Sequence, residues 1–202
     1  MVARAVDDPR DPYRRILERS ELVHLRVATS PFRTAPTTPR GNETVEHLLA
    51  VATTLLGTVP VHDLTTHAVA SAAGVNIATL YRYFTDIDAI LMEIALRREL
   101  AQCERMVEAM PLLASADDWR AVVRGAVSEM SRMRRDIPAG RAIVIGLITI
   151  PTLRPVIDAG QEVGSLLTAT ALAARTPAMS AGDWLPIARL LISTARHAID
   201  IA

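Results

Sequence analysis

A chain of 202 residues, half of them apolar, is sized for one helical core or for a small module joined to a larger domain, and it is not globally disordered. Its 22 basic and 22 acidic side chains cancel, and every basic residue is arginine, which fits a GC-rich genome and carries no mechanism of its own. The single cysteine, Cys103, excludes an internal disulfide and a cysteine metal cluster, and no stretch has the length or composition of a signal peptide or a bilayer span, so the expected setting is the cytoplasm, with no membrane partner.

Residues 1–40 read as a flexible arginine-rich arm. The turn-rich stretches DDPRDP and SPFRTAPTTPRG bound it, and eight arginines against five acids give it a charge of +3. Within it, YRRILERSELVHL can make a short amphipathic helix with Ile16, Leu17, Val23 and Leu25 as its apolar side. From residue 43 the hydrophobic period is helical almost throughout, which predicts an all-α fold. TVEHLLAVATTLLG forms the first helix of this part, with Val45, Leu48, Leu49, Ala52, Leu55 and Leu56 at three- and four-residue spacing and a stop at Gly57. A short second helix opens at Thr65 or Thr66 and closes at Gly74, and NIATLYRYF makes a third. A long helix capped by Thr85 or Asp86 runs to Pro111, and another begins at Asp117 or Asp118 and ends near Arg135. Pro138 starts AGRAIVIGLITI, Pro151 and Pro155 bracket a turn before a helix to about Ala174, and GDWLPIARLLISTARHAIDIA is the last. No stretch has the strand period, and there is no internal repeat.

The informative stretch is residues 65–84. Gly74 supplies the left-handed backbone that reverses the chain, and Asn76 caps the helix that follows, so the spacing is that of a helix-turn-helix. Of only seven aromatic residues in the chain, Tyr81, Tyr83 and Phe84 crowd into four positions around Arg82. On a 3.6-residue wheel Leu80 and Phe84 share the buried side, against Ala68, Val69 and Ala72 of the preceding helix. Ala78, Thr79 and Arg82 point away, and Ile77, Tyr81 and Tyr83 lie at the seams. Phe84 thus anchors the module, while the tyrosines and Arg82 are placed for a groove and its phosphates.

LTTHAVASAAGVNIATLYRYFTDIDAIL, residues 64–91, resembles the TetR family of bacterial transcriptional repressors. Thr66, Val69, Ala70, Ala73, Gly74, Val75, Thr79, Leu80, Tyr81, Tyr83 and Phe84 match its pattern, and with the first helix the likeness covers residues 43 to about 95. The resemblance implies a homodimer, each subunit laying its third helix in the major groove of a pseudo-palindromic double-stranded operator. Ile77, Ala78, Tyr81 and Arg82 then occupy positions that can face bases, and Thr66, Thr79 and Tyr83 occupy phosphate-contact positions. It also implies three parts: the arm at 1–40, a DNA-binding domain at 41–92, and a helical ligand-binding and dimerisation domain at 93–202. In that last part Leu100, Cys103, Met106, Val107 and Met110 line one side of the long helix. Val127 and Met130 lie on the next helix, and Leu147 and Thr149 follow. They are the candidate pocket for a small apolar effector, since methionine is adaptable and few polar groups stand among them.

Three departures from the family pattern stand out. Ile87 occupies the position where members usually carry a lysine on phosphate, and residues 41–90 hold one arginine and five acids, a net −4. The +3 arm is a candidate to compensate. The family usually closes with two long helices that build the dimer, whereas only one follows Gly182; either residues 155–175 supply the other or the chain stops short. The arginines at 132, 134, 135 and 141 read as a solvated helix end, the five histidines follow no metal-ligand spacing, and no catalytic or cofactor motif is present, so no enzyme, metal or cofactor is expected. The reading is a ligand-responsive DNA-binding regulator, a repressor; the alternative is a helical ligand-binding or protein-interaction module that has lost DNA affinity.

Overall fold

The computed structural model describes residues 8, 10–28, 31–136 and 149–201. Among them the α-helices are α1 (Asp11–Glu18), α2 (Glu21–Ala28), α3 (Pro39–Leu56), α4 (Thr66–Ala72), α5 (Ile77–Tyr83), α6 (Ile87–Ser115), α7 (Trp119–Asp136), α8 (Arg154–Arg175) and α9 (Ala181–Ile201). Single 3-10 turns stand at Val61–Asp63 and Pro151–Leu153. No strand occurs among the described residues; the extended pairing they hold is an isolated antiparallel bridge between Phe32 and Phe84. The fold is all-α, as the periodicity predicts.

Several helices start where side chains can take up their free amides, though α1 has no such cap. Thr38 accepts from the Gly41 N–H at 3.1 Å ahead of Pro39, and Asp118 accepts from Ala121 at 3.0 Å. Asp86 accepts from Ala89 at 2.8 Å. At α9, Ser180 and Asp183 form a reciprocal pair: the Ser180 amide donates to Asp183 Oδ2 at 2.9 Å, and the Asp183 amide donates to Ser180 Oγ at 3.3 Å.

Three sequence expectations are corrected. Described residues of the N-terminal segment are not a loose arm: α1 and α2 are separate helices that break at Arg19–Ser20, and Tyr13, Leu17 and Leu22 are buried. The hydrophobic spacing across the break misled, because Ile16, Val23 and Leu25 are only half-buried. Second, α3 begins at Pro39, inside the stretch read as arm. Third, α6 continues past Pro111 to Ser115. Pro111 has no N–H for the carbonyl of Val107, a loss of about 3 kcal/mol in a helix interior, which burial of a side chain such as Leu113 offsets by about 1.5–3 kcal/mol. The expected helix after Pro138 lies outside the described residues.

The chain divides into two compact units, and neither is a continuous segment. One comprises the described residues of Leu25–Glu99 and Met130–Asp158. Its core includes Leu48, Leu56, Leu80, Phe84, Ile90 and Leu153. The other comprises the described residues up to His24, Leu100–Glu129 and those from Ala159. Its core includes Leu22, Cys103, Val107, Val163 and Leu167. The boundary falls inside α6, so the division expected at residues 40 and 92 is not the one the contacts make. No described helix is long and apolar enough to cross a membrane.

Candidate nucleic-acid interface

The turn between α4 and α5 follows from three residues. Thr65 caps α4 by accepting from the Ala68 amide at 3.1 Å, and Asn76 caps α5 by accepting from Ala78 at 2.8 Å. Between them Gly74 takes φ +65°, the only positive φ among the described residues. The Gly74 amide donates to Ser71 O at 3.1 Å and the Val75 amide to Ala70 O at 3.0 Å, the paired bonds of a Schellman stop. Val69, Ala70 and Ala73 form the buried side of α4, while Ala68 and Ala72, expected there, are exposed. His47 of α3, which no sequence signal singled out, makes a 3.0 Å hydrogen bond through Nε2 to the Ala73 carbonyl and so ties α3 to the turn.

Leu80 and Phe84 are fully buried, as the wheel requires. On the opposite side Ala78 and Arg82 are exposed, and Ile77, Thr79 and Tyr81 are half-buried. Two predicted site residues fifteen positions apart meet: Thr66 Oγ1 and the Tyr81 hydroxyl are 3.1 Å apart. Tyr83, expected at a seam, is only 5 % exposed. Arg82 lies over its ring at 5.5 Å, and its hydroxyl reaches the start of α3, where a methyl on Gly41 would stand 3.1 Å away. Thr66 is likewise buried.

The segment before α3 also packs here, and local sequence signals missed it. Phe32 pairs with Phe84 in the bridge, their rings 5.2 Å apart, and the Arg33 amide donates to Tyr83 O at 2.7 Å. Charge is arranged favourably as well. The five acids of residues 41–90 are Glu43, Glu46, Asp63, Asp86 and Asp88, and none lies within residues 64–84. Glu46 is bound by Arg97 at 2.7 Å, Asp86 caps α6, and Asp88 accepts from Thr152 at 3.4 Å. Burial disfavours the Arg97 guanidinium, but its bonds to Glu46 and Glu93 outweigh that and hold its pKa above the ordinary arginine value.

The decisive observation is that residues 48–94 match the family of bacterial regulatory proteins, tetR family. The chain carries a tetR-family DNA-binding domain. The match runs from α3 into α6 and contains the whole of α4, the turn and α5. No curated protein matches the chain.

The candidate effector residues are not brought together as one lining. Leu100, Cys103, Val107 and Met110 are buried on α6, and Met106 is half-buried beside Gly164, where an added methyl would meet its Sδ and Cε at 3.5 Å. Val127 on α7 and Thr149 are exposed. Leu147 and the side chain of Met130 lie outside the described residues. A cleft of about 380 Å³ opens elsewhere, lined by Arg15, Ile16, Arg19, Ser20 and Glu21 at α1 and α2 and by Ala159, Glu162, Val163 and Leu166 on α8. It contains none of the nine candidates. Among the described residues no group of three or more His, Cys, Asp or Glu could hold a metal ion.

Proposed function

We propose that the protein is a ligand-responsive transcriptional repressor, a homodimer whose two α5 helices read a pseudo-palindromic operator in the cytoplasm. The observation that carries this reading is the outer side of α5. Ile77, Ala78, Tyr81 and Arg82 stand there on a stretch free of carboxylates as the residues for bases, with Thr79 half-buried among them for a phosphate, while Thr66 and Tyr83 are buried and support the helix from behind. A helix-turn-helix that had lost its DNA would have no reason to keep acids off this side; the net −4 of the surrounding segment belongs to other positions. Genome-wide capture of DNA by the purified protein tests it. A recurring motif with two half-sites about one helical turn apart supports the reading, and recovery of no enriched sequence refutes it.

The dimer rests on α9. Ile187, Leu190 and Leu191 recur at helical spacing and are exposed, Leu190 at 68 %, an apolar stripe suited to a second copy. Leu190→Arg should give a monomer in sedimentation and weaken operator binding. The effector is a small apolar molecule, and the α6 stripe of Leu100, Cys103, Met106, Val107 and Met110 is its site. Release of operator by such a ligand, abolished or mimicked in Met106→Trp without early melting, is the corresponding test.

A further inference from the structure

We infer that Arg33 and Arg40, outside the segment that matches the family, contact the phosphodiester backbone of the bound DNA and supply the positive charge that Ile87 does not. This rests on the DNA-binding reading above and names two residues that it leaves out.

Three observations converge. The backbone at Arg33 is fixed to the last turn of α5: its amide donates to Tyr83 O at 2.7 Å, next to the Phe32–Phe84 bridge. Arg40 stands in the first turn of α3, beside Gly41, at which the Tyr83 hydroxyl arrives. The two arginines therefore enter at opposite ends of one tyrosine side chain.

Second, both arginines are exposed and neither has an ion-pair partner among the described residues. Arg97, Arg154 and Arg189 are instead each committed to a carboxylate. Third, Tyr83 is only 5 % exposed, and its hydroxyl, which ends beside Gly41, makes no hydrogen bond among the described residues. An O–H donor left free at the amino end of α3, with two uncommitted arginines on the backbone that adjoins Tyr83, is the local chemistry of an anion contact. The nearby carboxylates do not cancel it, because Glu46 is taken by Arg97 and no acid occurs in residues 64–84.

The test is salt-dependent binding of the full chain to a mixed-sequence DNA duplex. It compares wild type with Arg33→Gln, Arg40→Gln, the double variant, Arg33→Lys, and Arg19→Gln as an exposed arginine remote in sequence. Each of the first two should weaken binding to every sequence and lower the slope of log affinity against log salt by about one, and the double variant by about two. Arg33→Lys should keep the slope, and Arg19→Gln should match wild type. Circular dichroism melting should be unchanged throughout, since neither side chain has an ion-pair partner to lose among the described residues. A double variant with the wild-type slope overturns the inference and leaves the DNA-binding reading standing. A wild-type protein that binds neither this duplex nor captured DNA overturns both.

Discussion

Two glycines with empty surroundings should respond to the same substitution with opposite sign. A methyl group on Gly74 meets nothing within 4 Å, and nor does one on Gly125 in α7. Sterics with neighbours therefore drop out, and the backbone decides. Gly74 sits at φ +65°, where an L side chain costs about 1–2 kcal/mol. Losing the freedom of glycine in the unfolded chain returns about 0.4–1 kcal/mol. Gly74→Ala should thus destabilise by about 1 kcal/mol, a fall in Tm of about 2–4 °C for a chain of this size. Gly74→Asn should cost less, because its short polar side chain tolerates the left-handed region. Gly125 is exposed in a helix interior with an ordinary φ, so Gly125→Ala should stabilise by about 0.5–1 kcal/mol. Thermal and urea melts followed by far-ultraviolet circular dichroism read all three. Gly74→Ala melting at or above wild type, or below it by no more than Gly74→Asn, refutes the assignment of the turn to a Schellman stop with an obligatory left-handed residue.

Other substitutions probe the interface and its supports. Arg82→Ala should cost about 1–3 kcal/mol of operator affinity and relax discrimination at one base pair, read by titrating the captured operator and its single-base variants. Tyr81→Phe removes the bond to Thr66 and should cost about 0.5–1.5 kcal/mol of stability in a urea titration. Phe84→Ala empties a fully buried site against Phe32 and should cost about 3–5 kcal/mol, seen as early thermal unfolding. At α9, the Ser180 hydroxyl and amide hold Asp183 below its ordinary carboxyl value of 3.8, so its stabilising contribution is present above that pH and fades as the pH falls through the depressed value. Asp183→Asn should therefore melt earlier than wild type at neutral pH, with the gap closing in acid; a gap independent of pH would exclude the ionised cap.

What was legible in the residues was local. Gly74, Asn76, Thr65 and Asp118 each act on backbone within a few positions, and each stands where that chemistry requires. The matched domain was legible for the same reason, since its pattern is mostly cap, turn and core spacing. Pro111 shows the converse: a local breaker lost to distant packing around Met110 and Leu113. The Phe32–Phe84 pair spans half a hundred positions without any periodic signal, so the segment before α3 read as an arm. Tyr83 was misjudged because a wheel assigns a side of a helix but cannot know that residues 33 and 41 cover it. The methionine stripe is the same problem in reverse, as spacing identifies an inward side and says nothing of whether atoms or a cavity face it.

The segment from Phe32 to Thr38 also bears on how such regulators can be recombined. Family resemblance delimits residues 48–94, and a chimera cut there would sever α3 midway and strip Phe84 of its ring partner, Tyr83 O of its donor and the Tyr83 hydroxyl of its neighbour at Gly41. The transferable piece is longer than the recognisable one. Swapping DNA specificity into or out of this protein calls for a junction ahead of Pro31, so that the strap travels with the helix it steadies.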